Sequence, residues 1–149
     1  MFITNKEKMV NIDNVTSMVQ EGDKIIFNLD YGITLKGSKK IIPDYVYFYC
    51  NGDEVKEIVD TIVSKGWIQS VESNHPNRYI NPEKISFLKW EEFNKYNEPK
   101  NRIIINFNVS VSFNGSEDLR TSDSIYLDFN DSQTFNSEKG RISSILERV

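Results

Sequence analysis

Two long stretches of the chain alternate apolar and polar residues, which is the pattern of a β-strand with one buried face. The first stretch covers residues 25–35 and the second covers residues 103–113. A glycine-containing turn follows each one, at residues 36–38 and 114–116. Apolar positions upstream of the two stretches also correspond, so the sequence predicts a tandem duplication of one small β-rich unit.

Further strands and a helix follow from the pattern in each half. A short strand is expected near residues 8–12, and third strands are expected at residues 45–49 and 125–129. In the first half, residues 55–63 carry apolar side chains at helical spacing, with Asn51 placed as the N-cap and Gly66 as the stop.

The helix of the second half has a weaker signal. Its apolar stripe begins only at Ile142, and Gly140 lowers helix propensity just before it. Asn136 or Ser137 is placed to cap it, so we expect a shorter helix than in the first half.

These elements predict an α+β protein built from two β-β-β-α units, each with an antiparallel sheet covered by its C-terminal helix. The first unit spans residues 1–68, a polar linker spans residues 69–77, and the second unit spans residues 78–149. The two units either stand apart or merge into one globular domain. At 149 residues the chain has enough material for either arrangement.

Composition narrows the range of partners. The formal net charge is −4, which makes duplex nucleic acid a poor partner. One cysteine excludes an internal disulfide and suits a reducing compartment. No apolar run is long enough to span a bilayer, so we expect a cytoplasmic protein that does not bind membranes.

The segment from Arg78 to Leu88, with Tyr79-Ile80-Asn81-Pro82 at its start, carries a resemblance. Followed by strand, glycine turn, strand and helix, it resembles the short swarming-motility proteins of flagellar operons and many small phage β-rich proteins. The first half keeps Val10-Asn11 of this opening but has Ile12 in place of the proline. The resemblance implies a non-enzymatic accessory role.

Residues suited to catalysis are few. The single histidine, His75, lies in the linker before Pro76, where a solvated loop histidine is the simpler interpretation. A helix N-terminus could lower the pKa of Cys50, but an inert buried thiol explains it better. The segment 128–131 lacks the glycine and closing glutamate of a calcium loop, and helix capping explains it instead. We therefore expect no catalytic residues, no metal and no cofactor.

Binding has two candidate sites, and the first is an aromatic strand. Tyr45, Tyr47 and Tyr49 share one face of it, with Lys36, Lys39 and Lys40 in the preceding turn. Such a face could stack bases or a planar ligand. However, aligning residues 125–129 with this strand places Ile125, Leu127 and Phe129 at the tyrosine positions. That comparison favours tyrosines that point into the core.

The second candidate is an insertion in the second half, within residues 89–101. It carries aromatic residues spaced by three, separated by two glutamates: Trp90, Glu91, Glu92, Phe93 and Tyr96. Aromatic anchors dominate the energetics of protein interfaces, so this segment is a candidate partner-binding site. The alternative is a one-turn helix whose aromatic side chains cap the second core.

Together these patterns predict a non-enzymatic protein that binds another protein, most readily one with a basic surface. Its concrete form would be a small acidic inhibitor or adaptor encoded by a phage or other mobile element. Two alternatives stay open, a single-stranded nucleic-acid binder that uses the tyrosine strand and an enzyme of unrecognised type. Exposed edge strands would also permit homo-oligomers.

Overall fold

The computed structural model describes residues 1–34, 41–70, 77–113 and 117–148, and in that part the protein is α+β with ten strands and two α-helices. The first half contains β1 (Phe2–Thr4), β2 (Met9–Asn11), β3 (Val15–Glu21), β4 (Lys24–Thr34), β5 (Ile41–Tyr49) and α1 (Gly52–Ser64). The chain continues with β6 (Ile68–Gln69), β7 (Arg78–Ile80), β8 (Ile85–Lys95), β9 (Glu98–Phe113), β10 (Glu117–Phe129) and α2 (Ser132–Leu146). Short 3-10 turns, Ile12–Asn14 and Pro82–Lys84, follow β2 and β7.

Eight of these strands form one sheet, and β1 pairs with β2 in a separate hairpin. The main path runs β10-β9-β4-β3-β7-β6, with β5 added to β4 and β8 added to β9. The pairs are antiparallel except β4 with β9, which are parallel from Tyr31 and Ser110 to Thr34 and Phe113. Because β3 also pairs with β7, strands from both halves of the chain share the sheet.

The two longest strands of the centre change neighbour along their length. β4 pairs with β3 up to Leu29 and with β9 from Tyr31 onward. β9 pairs with β8 over its first part, up to Phe107, and with β4 near its end. Strands of 11 and 16 residues exceed the usual length, and this exchange of partners lets each one serve two regions of the sheet.

Each helix covers its own hydrophobic cluster. Val55, Ile58 and Ile62 of α1 pack into a core that includes Phe27 and Phe48, both fully buried. A second core gathers residues of β9, β10 and α2, among them Ile103, Ile105, Phe107, Leu127, Phe135 and Ile142. The prediction that amphipathic helices lie across the apolar face of the sheet is therefore confirmed.

The start of α1 is as predicted. The Asn51 side chain accepts from the Glu54 backbone N–H at 2.9 Å, and the Glu54 carboxylate accepts from the Asn51 N–H at 3.3 Å. This reciprocal capping box satisfies two backbone donors that the first turn leaves free. Gly66 follows the helix with φ of +84°, a conformation that glycine adopts without strain.

The prediction of a short second helix was wrong. α2 has 15 residues against 13 for α1, and it starts at Ser132 rather than after Asn136 or Ser137. Asp131 is the N-cap, since its carboxylate accepts from the backbone N–H and the hydroxyl of Thr134 at 2.7 and 2.9 Å. Asp131, the last residue of the 128–131 segment, therefore caps α2. Gly140 lies inside the helix, where its cost of about 1 kcal/mol is outweighed by this cap and by packing.

Sequence reasoning also missed strands. β3 and β8 each add a strand before the long one, and β1 and β6 are further short strands that the pattern did not predict. Counted from β2 and from β7, four strands rather than three precede the helix in each half. The sequence signals of a β3–β4 hairpin are the β-branched residues Val15, Thr16 and Val19 and the Gly22-Asp23 pair that follows β3. In the structure Gly22 has a φ of +59°. The order short strand, 3-10 turn, three strands and helix occurs in both halves.

Candidate functional site

The tyrosines of β5 point away from the core. Tyr45 is 47% exposed and Tyr49 is 72% exposed, with Tyr47 between them half-buried. Phe48, on the other face of the strand, is fully buried. The expectation that the tyrosines point inward was therefore wrong, and the outward face of β5 carries aromatic surface in contact with solvent.

The register explains the error. Phe48 lies opposite Ile25, and in the second half Leu127 lies opposite Ile103. Ile25 and Ile103 occupy matching positions at the start of the two long alternating runs. Judged by this pairing, Phe48 takes the place that Leu127 has in the second half, which is one residue away from the alignment used in the sequence comparison. A slip of one residue inverts every side chain of a strand.

Contacts among neighbouring side chains organise this surface, which we call the tyrosine face: Tyr45, Tyr47, Tyr49, Lys8 and Lys24. The rings of Tyr45 and Tyr47 meet edge to face with centroids 4.7 Å apart. The Lys24 Nζ lies 5.0 Å from the Tyr47 ring centroid, and the Lys8 Nζ donates to the Tyr47 carbonyl at 2.8 Å. Tyr45 and Lys24 are thereby ordered around the Tyr47 ring, and Lys8 is held at the Tyr47 backbone.

The surroundings of Tyr47 disfavour ionisation of its phenol. A hydrogen bond with the Tyr45 side chain, followed by desolvation and nearby negative charge, raises the pKa of Tyr47 above its ordinary value. Glu21 lies in an ion pair with Lys24, with Nζ and carboxylate 3.5 Å apart. Lys39 and Lys40, which the sequence placed beside the tyrosines, lie outside the described residues, as does Lys36.

The second half repeats the pairing of a cation with a tyrosine. Arg102 Cζ lies 4.7 Å from the ring centroid of Tyr126, which is 51% exposed. Here, however, the Arg102 guanidinium also donates to both Asp128 carboxylate oxygens, at 2.7 and 3.3 Å. The hydrogen bond with Asp128 raises the pKa of Arg102. The cation is therefore already neutralised within the chain.

The predicted insertion is a β-hairpin, and the alternative of a one-turn helix was wrong. β8 and β9 are joined by Tyr96 and Asn97, both with positive φ, 54° and 62°. Two such residues make the turn type that suits the twist of a hairpin. Side chains three apart along a strand alternate faces, so the spacing that aligns aromatics on a helix does not align them here.

Its residues occupy different surroundings. Trp90 is 46% exposed, and the Lys139 Nζ of α2 lies 4.1 Å from its ring centroid. Tyr96 at the hairpin turn is 89% exposed, Glu92 is exposed and Glu91 is half-buried. The side chain of Phe93 lies outside the described residues. The role of these residues in partner binding stays a prediction.

The groups considered for chemistry occupy ordinary structural positions. Burial, followed by the charges of Glu54 and Asp23, raises the pKa of the Cys50 thiol, which is the opposite of what a nucleophile requires. His75 lies outside the described residues. Within the described ranges, no group of three or more histidine, cysteine or acidic residues is arranged to hold a metal ion.

A cleft of about 500 Å³ lies where the two 3-10 turns approach the ends of both helices. Its wall is apolar at Ile12, Trp67, Pro82 and Ile145, and charged at Asp13, Lys65, Glu83 and Arg148. The charged side chains have both signs, so the wall favours neither an anion nor a cation.

The sequence did not reveal the cations that order the aromatic residues. Lys24 meets Tyr47 across the β4–β5 pair, and Lys139 reaches Trp90 from the other end of the second half. Only the cross-strand register of β4 and β5 would have identified Lys24 in advance. Lys139 depends on how α2 docks, for which the chain offers no local signal.

No family model, no curated protein and no solved structure matches this chain. The resemblance to swarming-motility and phage proteins therefore stays a prediction. Neither described helix combines the length and the apolar character needed to cross a membrane.

Proposed function

We propose that this protein is a non-enzymatic binding protein and that the tyrosine face is where it contacts another protein. The observation that carries the proposal is the outward direction of Tyr45, Tyr47 and Tyr49 on β5, which pairs only with β4 among the described strands. Tyrosine is enriched among the residues that dominate binding energy, because it offers a large rigid surface with a polar end. The contact between the rings of Tyr45 and Tyr47 fixes their orientation before a partner binds.

Charge favours a protein over a nucleic acid as the partner. Among the described residues, the cations of the tyrosine face are Lys8 and Lys24. Glu21 offsets the charge of Lys24, and the Lys8 Nζ is held at the Tyr47 carbonyl, so these residues do not make a basic groove. Binding of single strands normally combines stacking with a basic groove. With a net charge of −4, the chain suits a basic protein surface better.

The concrete form of the proposal is an acidic inhibitor or adaptor, encoded by a phage or other mobile element and acting in the cytoplasm. An inhibitor of this kind needs shape and charge but no chemistry, which agrees with a sequence pI of about 5.1 and the buried Cys50. Single-stranded nucleic-acid binding is the second candidate, because exposed tyrosine rings can also stack on bases.

The proposal includes an origin by tandem duplication, which equivalent hydrogen bonds support. The side chains of Asn11 and Asn81 accept from the backbone of Asp13 and Glu83 in the two 3-10 turns. A register shift follows each turn, between Val15 and Ser17 and between Ile85 and Phe87. Beside those shifts, the hydroxyls of Thr16 and Ser86 donate to the carbonyls of Asn28 and Asn106.

The test compares variants that keep the fold. Tyr45→Ser with Tyr49→Ser removes two exposed rings from the tyrosine face, while Val63→Ser removes a side chain that is 50% exposed on α1. Immobilised wild type and variants would be compared for the amount of a specific partner captured from the native host. We expect the tyrosine variant to lose at least about tenfold in affinity and the α1 variant to match wild type.

Two further measurements separate the alternatives. Tyr96→Ser should leave capture unchanged if the tyrosine face binds, whereas a loss confined to this variant would assign binding to the β8–β9 hairpin. Titration of a fluorescent single-stranded oligonucleotide should show no binding at moderate salt. Salt-sensitive binding that is lost in the tyrosine variant would replace the protein partner with nucleic acid.

A further inference from the structure

We propose that the outer edge of β8, residues 87–94, pairs with the same edge of a second copy of this chain to form a symmetric dimer. This site is separate from the tyrosine face, and the proposal does not depend on the function assigned to that face.

The edge of β8 is open. Among the described strands, β8 pairs only with β9. The two-residue turn makes Lys95 and Glu98 the closing pair of the hairpin, so the odd-numbered residues of β8 exchange hydrogen bonds with β9. The backbone groups of Leu88, Trp90 and Glu92 therefore point outward along the edge.

The corresponding strand of the first half shows what such an edge accepts. β3 carries β7 along its outer side, with Met18 opposite Tyr79. Backbone bonds flank that pair, from Asn81 N–H to the Thr16 carbonyl at 2.9 Å and from Gln20 N–H to the Asn77 carbonyl at 3.0 Å. β8 has no such strand in the described part of the chain. An open edge of this kind readily accepts one from another molecule.

Charge complementarity favours a second copy of this chain as the partner, and it also favours one register of the strand pair. In an antiparallel pair centred on Trp90, Leu88 lies opposite Glu92 of the second copy, and Lys89 lies opposite Glu91. The two-fold axis repeats both pairings, so two opposite-charge pairs form on one face of the joined sheet. A register shifted by two residues would instead set Glu91 against Glu91, and this repulsion disfavours it.

The side chains are accessible for these pairs. Lys89 is exposed, and the ion pair of Glu91 within the described residues is a long one, with Arg102 at 3.9 Å, because the shorter bonds of Arg102 go to Asp128. The two Trp90 residues would face each other on the helix side, each beside Lys139 of its own chain. Among the described strands, β5 and β10 are also long and pair with one neighbour each. β5 contains Pro43, which has no N–H to donate, so it is less suited to strand pairing than β8.

Sedimentation velocity over a wide concentration range tests the proposal. The full chain should move from a 17.4 kDa monomer toward twice that mass as concentration rises. Lys89→Glu places two glutamates opposite two others, and should weaken dimerisation by at least about tenfold. Glu91→Lys should do the same through paired lysines. The double variant Lys89→Glu with Glu91→Lys restores both pairs in reversed order and should dimerise as wild type does.

Lys6→Glu is the matched control, because it makes the same charge change at an exposed residue outside β8 and should leave dimerisation unchanged. A monomer at every concentration would overturn the proposal. Dimerisation that neither single variant weakens, or that the double variant fails to restore, would overturn it as well. Circular dichroism of each variant, compared with wild type, shows that a loss of dimer is not a loss of fold.

Discussion

The substitution Ile58→Ala measures how completely α1 closes the first core. Ile58 is 6% exposed and packs with Val55 and Ile62 in the cluster that includes Phe27 and Phe48. Removing three carbon atoms from a buried side chain forfeits about 2.4 kcal/mol of transfer free energy, at about 0.8 kcal/mol each. The cavity left behind adds up to about 2 kcal/mol, depending on how far the neighbours relax.

One neighbour of Ile58, strand β1, can move to fill part of the cavity. A shallow groove between β1 and α1 runs beside Ile58, and its other wall is the N-terminal segment from Met1 to Thr4. β1 pairs only with β2 among the described strands, so it can settle toward the vacated space more easily than the central sheet can. We therefore expect a total loss of about 2.5–4 kcal/mol in the free energy of unfolding.

Urea denaturation monitored by circular dichroism measures this change in the free energy of unfolding directly, provided that wild type and variant show the same dependence of that free energy on urea concentration. Val63→Ala on the same helix is the control, because Val63 is 50% exposed and should change stability by less than about 0.5 kcal/mol. A loss below about 1 kcal/mol for Ile58→Ala would show that α1 does not seal a closed core, and the packing argument would fail.

The caps of the two helices supply two further predictions. Asn51→Ala should destabilise the protein by about 1 kcal/mol in the same assay, while Asn51→Asp, which keeps an acceptor for the Glu54 N–H, should lose much less. Hydrogen bonds from Thr134 hold the pKa of Asp131 below its ordinary value, so its stabilisation is present at neutral pH and is lost as pH falls from about 4 through the lower folded value. Thermal melts should show wild type more stable than Asp131→Ala at pH 7, with the difference shrinking in that acidic window. A difference that stays constant with pH would contradict the role of the carboxylate.

The bounds of the first helix could be predicted from the sequence because several local signals agreed there. Periodicity, the Asn51 cap and Gly66 all indicated the same bounds, and the helix runs from Gly52 to Ser64. The predicted side-chain directions in the third strand of the same half, β5, were wrong because both of its faces are apolar. Periodicity alone could not decide whether the tyrosines or Phe48 are buried. Burial was decided by which residue lies opposite Ile25, and that is a property of pairing rather than of composition.

The candidate site was harder still to foresee. The residues of the aromatic strand were named correctly, but their direction and their contacts with Lys8 and Lys24 depend on pairings across the sheet. The aromatic residues near Trp90 were judged by helical spacing, although that segment is a strand. Likewise, the open edge of β8 is visible only once β7 is seen to pair with β3 of the other half.

The misplaced start of α2 has a specific physical cause in Glu138. This residue lies three positions after the buried Phe135, where an apolar side chain would have continued the stripe, yet it is itself only 6% exposed. Arg141 neutralises it with two bonds, at 2.9 and 2.6 Å, and also donates to the Gln69 carbonyl of β6. Glu138 is the buried partner of this pair, while Arg141 is half-exposed. Such a pair adds little net stability compared with an apolar residue, but removing Arg141 would leave the Glu138 carboxylate buried without its cation. Hydrophobic periodicity does not recognise a helix position that is buried as a paired carboxylate. The apolar pattern in the sequence therefore begins at Ile142, while the helix begins at Ser132.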